Sequence, residues 1–156
     1  RGQVKDWLRK GAPINGLALI EYGDGHGHLE TPLLTALIDE RLDAAAALIK
    51  SGADVDAPNS ILFPTGGGFA HTTLHMVARR GLVDGVKMLI AAGANVNRRT
   101  TMGTTALHFA AELDHVEVVK LLIRAGANKN VREFPDGMEG IGNRPVDGAG
   151  PKSRSL

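Results

Sequence analysis

Thr105-Ala106-Leu107-His108-Phe109-Ala110-Ala111, followed by His115-Val116-Glu117-Val118-Val119-Lys120-Leu121-Leu122 and then Gly126-Ala127-Asn128, decides how this chain folds. Thr105 is a helix-capping residue placed just before an apolar run. Leu107, Ala110 and Ala111 fall on one face of a helix, since residues three and four apart share a side. Asp114 suits a tight turn. Val116, Val119, Leu122 and Ile123 make a second apolar face on a second short helix. Gly126 stands where a helix end needs a left-handed residue, and Asn128 opens a turn-prone connection.

The same block recurs twice upstream. Thr72-Thr73-Leu74-His75 leads to Gly93-Ala94-Asn95, and Thr31-Pro32-Leu33-Leu34 leads to Gly52-Ala53-Asp54. Thr31 to Gly52, Thr72 to Gly93 and Thr105 to Gly126 each span 21 residues. Pro32 occupies a first-turn position that needs no N–H donor. The first helices bury Leu33, Ala36 and Leu37, then Leu74, Val77 and Ala78. The second helices carry Leu42, Ala46, Leu48 and Ile49, then Val83, Val86, Leu89 and Ile90. Blocks of constant length joined by variable connections are the signature of a stacked repeat array.

On these residues the sequence resembles the ankyrin repeat family. The third block is a close match, the second nearly so, and the first departs by carrying Leu34 where the family usually has His. The resemblance implies an all-α fold: an α-solenoid of about three full repeats plus partial N- and C-terminal repeats, with elongated β-hairpin loops. The limits expected are a single domain over 1–150, made of a partial unit 1–30, repeats 31–71, 72–104 and 105–143, and a partial cap 144–150. A tail, 151–156, follows. Val4, Trp7, Leu8, Gly11 and Ala12 resemble the second helix and exit of an N-terminal unit. Arg144-Pro145-Val146-Asp147-Gly148-Ala149 resembles the start of a fourth block, stopped by Gly150-Pro151. The family position of His75 and His108 implies that each braces the adjoining turn.

Composition narrows the function. The chain has 156 residues, no Cys and a formal net charge of +1. Without Cys there is no disulfide framework, thiolate zinc site or cysteine nucleophile. The near-zero charge makes no general case for nucleic acid. No run approaches ~18 apolar residues, so no transmembrane helix is expected. Arg1 to Asp6 lacks the apolar core of a signal peptide, and the start without Met reads as processed or cut from something longer. The repeat places no nucleophile–base pair or carboxylate pair, so the chain is not read as an enzyme, and no cofactor is expected.

The connections depart most from the family pattern. Gly93 to Thr105 spans 12 residues, but Gly11 to Thr31 and Gly52 to Thr72 each span 20, and Gly126 to Arg144 spans 18. Long loops on a rigid scaffold commonly carry function. Tyr22, Phe63, Phe69 and Phe134 all lie in the long fingers, where aromatic rings serve either as binding anchors or as packing between fingers. Gly66-Gly67-Gly68 reads as a hairpin tip, not a phosphate loop, because no Gly-Lys-Ser/Thr follows. Asp24, His26, His28 and Glu30 alternate so that a strand would turn all four to one side, an alternative reading as a metal or small-ligand site.

Charge is uneven. Residues 21–56 hold eight acids against two bases, and Arg79, Arg80, Arg98 and Arg99 form a basic centre. Aligned by block, Thr35, Met76 and Phe109 are equivalent, as are Ile38, Arg79 and Glu112, and Asp39, Arg80 and Leu113. Unlike residues at equivalent sites suit a specific recognition surface. The expected contact residues are Tyr22, His28, Ile38, Asp39, Phe69, Met76, Arg79, Arg80, Arg99, Met102, Phe109, Glu112 and Leu113. The expected partner is another protein, with no nucleic acid and no membrane. The chain is expected to be monomeric on its own and cytoplasmic.

Overall fold

A computed structural model describes residues 9–63 and 68–130, apart from the Tyr22 side chain. Trp7, Phe134, the partial cap 144–150 and the tail 151–156 lie outside the described residues.

Each block forms two short helices. In the first block these are α1 (Pro32–Ile38) and α2 (Leu42–Lys50), in the second α3 (Thr73–Arg79) and α4 (Val83–Ala91), in the third α5 (Ala106–Glu112) and α6 (Val116–Arg124). The caps explain the boundaries. The Thr31 hydroxyl accepts from the Leu34 N–H, with Pro32 in the first turn. Thr72 and Thr105 form capping boxes in which His75 and His108 take the returning role. The first helices end in a sharp reversal carried by Glu40, Gly81 and Asp114, with φ of 55°, 70° and 60°. Gly81 adopts this conformation without strain, whereas the two acids are short of that freedom. The second helices end on Gly52, Gly93 and Gly126, with φ between 87° and 96°.

The helices stack block on block, α1 on α3 and α3 on α5, with α2, α4 and α6 forming the outer row. One core runs through the stack, built from Leu33, Leu37, Ala45, Leu48, Leu74, Val77, Val86, Leu89, Val118 and Leu122. Several expected face positions are not core: Ala111 is exposed, Val116 and Ile123 are 54% and 39% exposed, and two more positions shift by one residue. Ala45, not Ala46, is fully buried in α2. In α6, Val118 is buried and Val119 only partly so.

A polar ladder ties the block exits together. The Asn15 side chain accepts from the Asp54 N–H, Asp56 from the Asn95 N–H, and Asn97 from the Asn128 N–H, at 2.7–3.0 Å. Asn15 stands four residues after Gly11, as Asp56 and Asn97 stand after Gly52 and Gly93. The segment from Gly11 to Asn15 is therefore stacked like the exit of a repeat.

The all-α expectation covers the stack but not the fingers. Two of the three long fingers are hairpins, β1 (Ala18–Tyr22) with β2 (His26–Glu30) and β3 (Pro58–Leu62) with β4 (Gly68–Thr72), and the last long finger, from residue 131 on, lies outside the described residues. The two hairpins join through β2 and β3 into one antiparallel four-stranded sheet of order β1-β2-β3-β4. The short third finger continues it: the Thr101 N–H donates to the Ala70 carbonyl, and the Ala70 N–H donates to the Thr101 hydroxyl. Gly68, expected at a hairpin tip, is the first residue of β4, and a Cβ there would sit 2.7 Å from the Ile61 carbonyl oxygen.

Candidate functional site

Strand alternation and register assign the two faces of the sheet. Ile20 lies opposite His28, His28 opposite Ile61, and Ile61 opposite Phe69, so these four share a face. Across from that face lie the ends of the first helices. Between them opens a cleft of about 500 Å³ lined by His28, Ile61, Phe63, Phe69, Arg79, Phe109, Glu112 and Leu113. Its apolar walls stay accessible, with Phe63 44% and Leu113 47% exposed. Exposed bulky side chains gathered in a concavity are unusual on a protein surface, which makes this cleft the candidate site.

The floor is rigid for identifiable reasons. His75, 1% exposed, accepts from the Thr72 N–H at Nδ1 and donates from Nε2 to the Arg98 carbonyl at 2.8 Å. It thereby locks the start of α3 to the next finger. Burial pushes its pKa down to about 4, so the ring is neutral near neutrality. The Phe109 ring meets the His75 ring edge-on at 6.1 Å. His71 lies buried beside Phe69, and burial also lowers its pKa. Asn59, wholly buried, accepts from the Thr31 N–H at 2.7 Å and donates to the Ala57 carbonyl. That side chain pins the second finger to the start of α1.

Six expected contact residues therefore converge on the cleft: His28, Phe69, Arg79, Phe109, Glu112 and Leu113. Ile38, Asp39 and Arg80 stand at helix ends outside its lining, with Asp39 and Arg80 exposed. Arg99 and Met102 belong to the third finger, where the Arg99 Nε donates to the Gly103 carbonyl and Met102 is 42% exposed. Tyr22 is a β1 residue whose side chain is not described. Met76 corrects the expectation, being only 4% exposed. α3 is packed between α1 and α5, and every residue from Thr73 to Ala78 is buried. Ile61 and Phe63 were absent from the expected set. Phe63 is one of the finger aromatics of the sequence, and period-two alternation through Pro58–Leu62 points to Ile61.

The metal alternative meets a different arrangement. His26 pairs with Asp24 at 3.1 Å, and His28 with Glu30 at 3.3 Å. Asp24 is exposed in the turn, and the His26 N–H holds its pKa below the usual value. Glu30 is buried and also accepts from the Thr35 hydroxyl. The four side chains thus form two separate pairs. Among the described residues no three or more ligand-type side chains gather as a metal site would need.

Among the described residues no helix is long and apolar enough to cross a membrane. Residues 60–133 match a family model described as ankyrin repeats (3 copies). The chain is 37% identical over 78 residues to "Ankyrin repeat and SOCS box protein 11" of Homo sapiens, and 36% to its counterpart in Pongo abelii. It is 39% identical over 77 residues to "Putative E3 ubiquitin-protein ligase XBAT35" of Arabidopsis thaliana. The matches cover about half of this chain but only 21%, 21% and 15% of those proteins. Repeat spacing, stacked helix pairs and these matches agree on one likeness: residues 60–133 are similar to ankyrin repeats.

Proposed function

We propose that this chain is a protein-interaction module that binds a partner protein through its concave face and finger sheet. The observation that carries this is the cleft between β2–β4 and the ends of α3 and α5, where accessible apolar side chains are held on a braced scaffold. A rigid receptor surface loses little conformational freedom on binding, so buried area converts into affinity at lower cost. Contacts then come from His28, Ile61, Phe63, Phe69, Arg79, Phe109, Glu112 and Leu113, with Ile38, Asp39, Arg80, Arg99, Met102 and Tyr22 as flanking positions.

Two settings fit such a module: a stand-alone inhibitor or immunity-type protein, and the targeting domain of a larger protein. The relatives favour the second, because the matching stretch is only 21% and 15% of proteins whose names include a SOCS box and a ligase. The cytoplasm is the proposed compartment, the chain alone is monomeric, and catalysis lies outside this stretch.

The test compares capture by the wild-type chain and by a Phe63→Ser/Arg79→Glu/Leu113→Ser variant, all three positions being exposed. Circular dichroism checks that the variant keeps its helices. Loss of a captured protein by the folded variant supports the reading. Equal capture by both forms refutes the cleft as the contact surface.

A further inference from the structure

The ends of α3 and α5 line the cleft, and α1 stacks on α3, so the first-helix ends form a row, one per repeat. Their charges alternate along the stack. The first repeat presents Asp39 and Glu40, with Arg41 beside them; the second presents Arg79 and Arg80; the third presents Glu112 and Asp114. All seven are exposed. Among the described residues neither Arg79 nor Arg80 has a carboxylate within salt-bridge distance. The row therefore reads minus, plus, minus, with net charges of about −1, +2 and −2 by residue count.

Arg79 and Glu112 sit on the rim of the apolar cleft itself. An apolar group entering the cleft is thus flanked by a guanidinium from the second repeat and a carboxylate from the third. Complementarity at such a rim fixes register and rejects wrong partners more than it adds raw affinity. Packed helices lie 8–10 Å apart, and an extended chain rises about 3.3 Å per residue. A crossing segment therefore advances about three residues per repeat.

We propose that the partner presents an extended segment with a bulky apolar anchor next to an acidic side chain, bracketed about three residues away on each side by basic side chains. The anchor fills the cleft among Ile61, Phe63, Phe69, Phe109 and Leu113. The acidic group meets Arg79 and Arg80. The basic groups meet Asp39 and Glu40 at one end and Glu112 and Asp114 at the other. This inference rests on the recognition reading above and specifies the chemistry that the same surface selects.

The test uses two fluorescein-labelled synthetic peptides with the same central Phe. One carries Lys-x-x-Glu-x-x-Lys with Phe beside the Glu, and the other carries the reversed pattern Glu-x-x-Lys-x-x-Glu. Binding is read by fluorescence anisotropy at low salt and at high salt. The first peptide should bind at least about tenfold tighter, with the preference shrinking at high salt as screening weakens exposed pairs. An Asp39→Lys/Arg79→Glu/Arg80→Glu/Glu112→Lys variant, checked for helicity, should invert the preference. Equal binding of the two peptides, no binding of either, or an unchanged preference in that variant overturns the charge pattern. If the pattern fails while a captured partner still depends on Phe63 and Leu113, the cleft reading stands alone. If that dependence also fails, both fall.

Discussion

Acidification should unfold this protein earlier than its carboxylates alone require, and His75 is the reason. The ring is 1% exposed, with Nδ1 taken by the Thr72 N–H and Nε2 by the Arg98 carbonyl. Its pKa falls from 6.5 to about 4 because burial disfavours the imidazolium. In the unfolded chain it binds a proton near pH 6.5, and in the folded chain only near pH 4. Between those values the unfolded state holds more protons, so stability rises with pH. His75 contributes fully above pH 6.5, and that contribution is lost as pH falls toward 4. The size is about 3 kcal/mol at about 1.4 kcal/mol per pKa unit. His71 shifts in the same direction for the same cause and steepens the fall.

The assay is urea unfolding followed by circular dichroism at pH 7.5, 6 and 4.5, for wild type and His75→Leu. Leucine fits the site, since Leu34 occupies the equivalent place in the first repeat and is fully buried there. At pH 7.5 the variant should lose about 2–4 kcal/mol, because it strands the Thr72 N–H and the Arg98 carbonyl. On going to pH 4.5 the gap between the two proteins should narrow by most of that 3 kcal/mol. A gap that stays constant with pH would refute the buried neutral imidazole.

Three further outcomes follow from single contacts. Gly81→Ala should cost at least about 2 kcal/mol, and clearly more than Gly52→Ala; both glycines have positive φ, but only at Gly81 does an added Cβ meet a neighbour, the His115 ring at 2.6 Å. Thermal unfolding of the two variants checks the order. Leu89→Ala, at a wholly buried core position, should cost about 2–5 kcal/mol, whereas Ile123→Ala, at 39% exposure, should cost under about 1.5 kcal/mol in denaturant titrations. Asn97→Ala removes the acceptor of the Asn128 N–H and the donor to the Gly126 carbonyl, and should cost about 1 kcal/mol, with faster amide exchange at Asn128.

The stack was legible in the sequence because its signals are local. A Thr cap, an apolar face of period 3.6 and a glycine exit lie within each 21-residue block, and each block repeats them. The ladder of Asn15, Asp56 and Asn97 was present at constant spacing from each glycine, yet nothing local says that a side chain bonds to the next repeat. The four-stranded sheet was not legible, because it depends on two hairpins meeting through β2 and β3, residues 27–29 with 60–62. A hairpin forecast from length and glycine content carries no information on its neighbour. Most of the cleft was legible: Arg79, Phe109, Glu112 and Leu113 follow from aligning the blocks, and His28 and Phe69 from the long fingers. Ile61 and Phe63 needed the strand register. Met76 was misjudged because equivalence predicts direction but not cover, and α3 has a helix on each side while Phe109 remains half-buried in the cleft wall.

The central claim is that recognition runs through the cleft between the finger sheet and the first-helix ends. It is tested most directly by amide NMR of the labelled chain, titrated with the captured partner. The account predicts shift changes and slowed exchange clustered at residues 27–29, 61–63, 68–70, 79–80 and 109–113. Changes confined to the outer helices α2, α4 and α6, with the cleft unaltered, would contradict it.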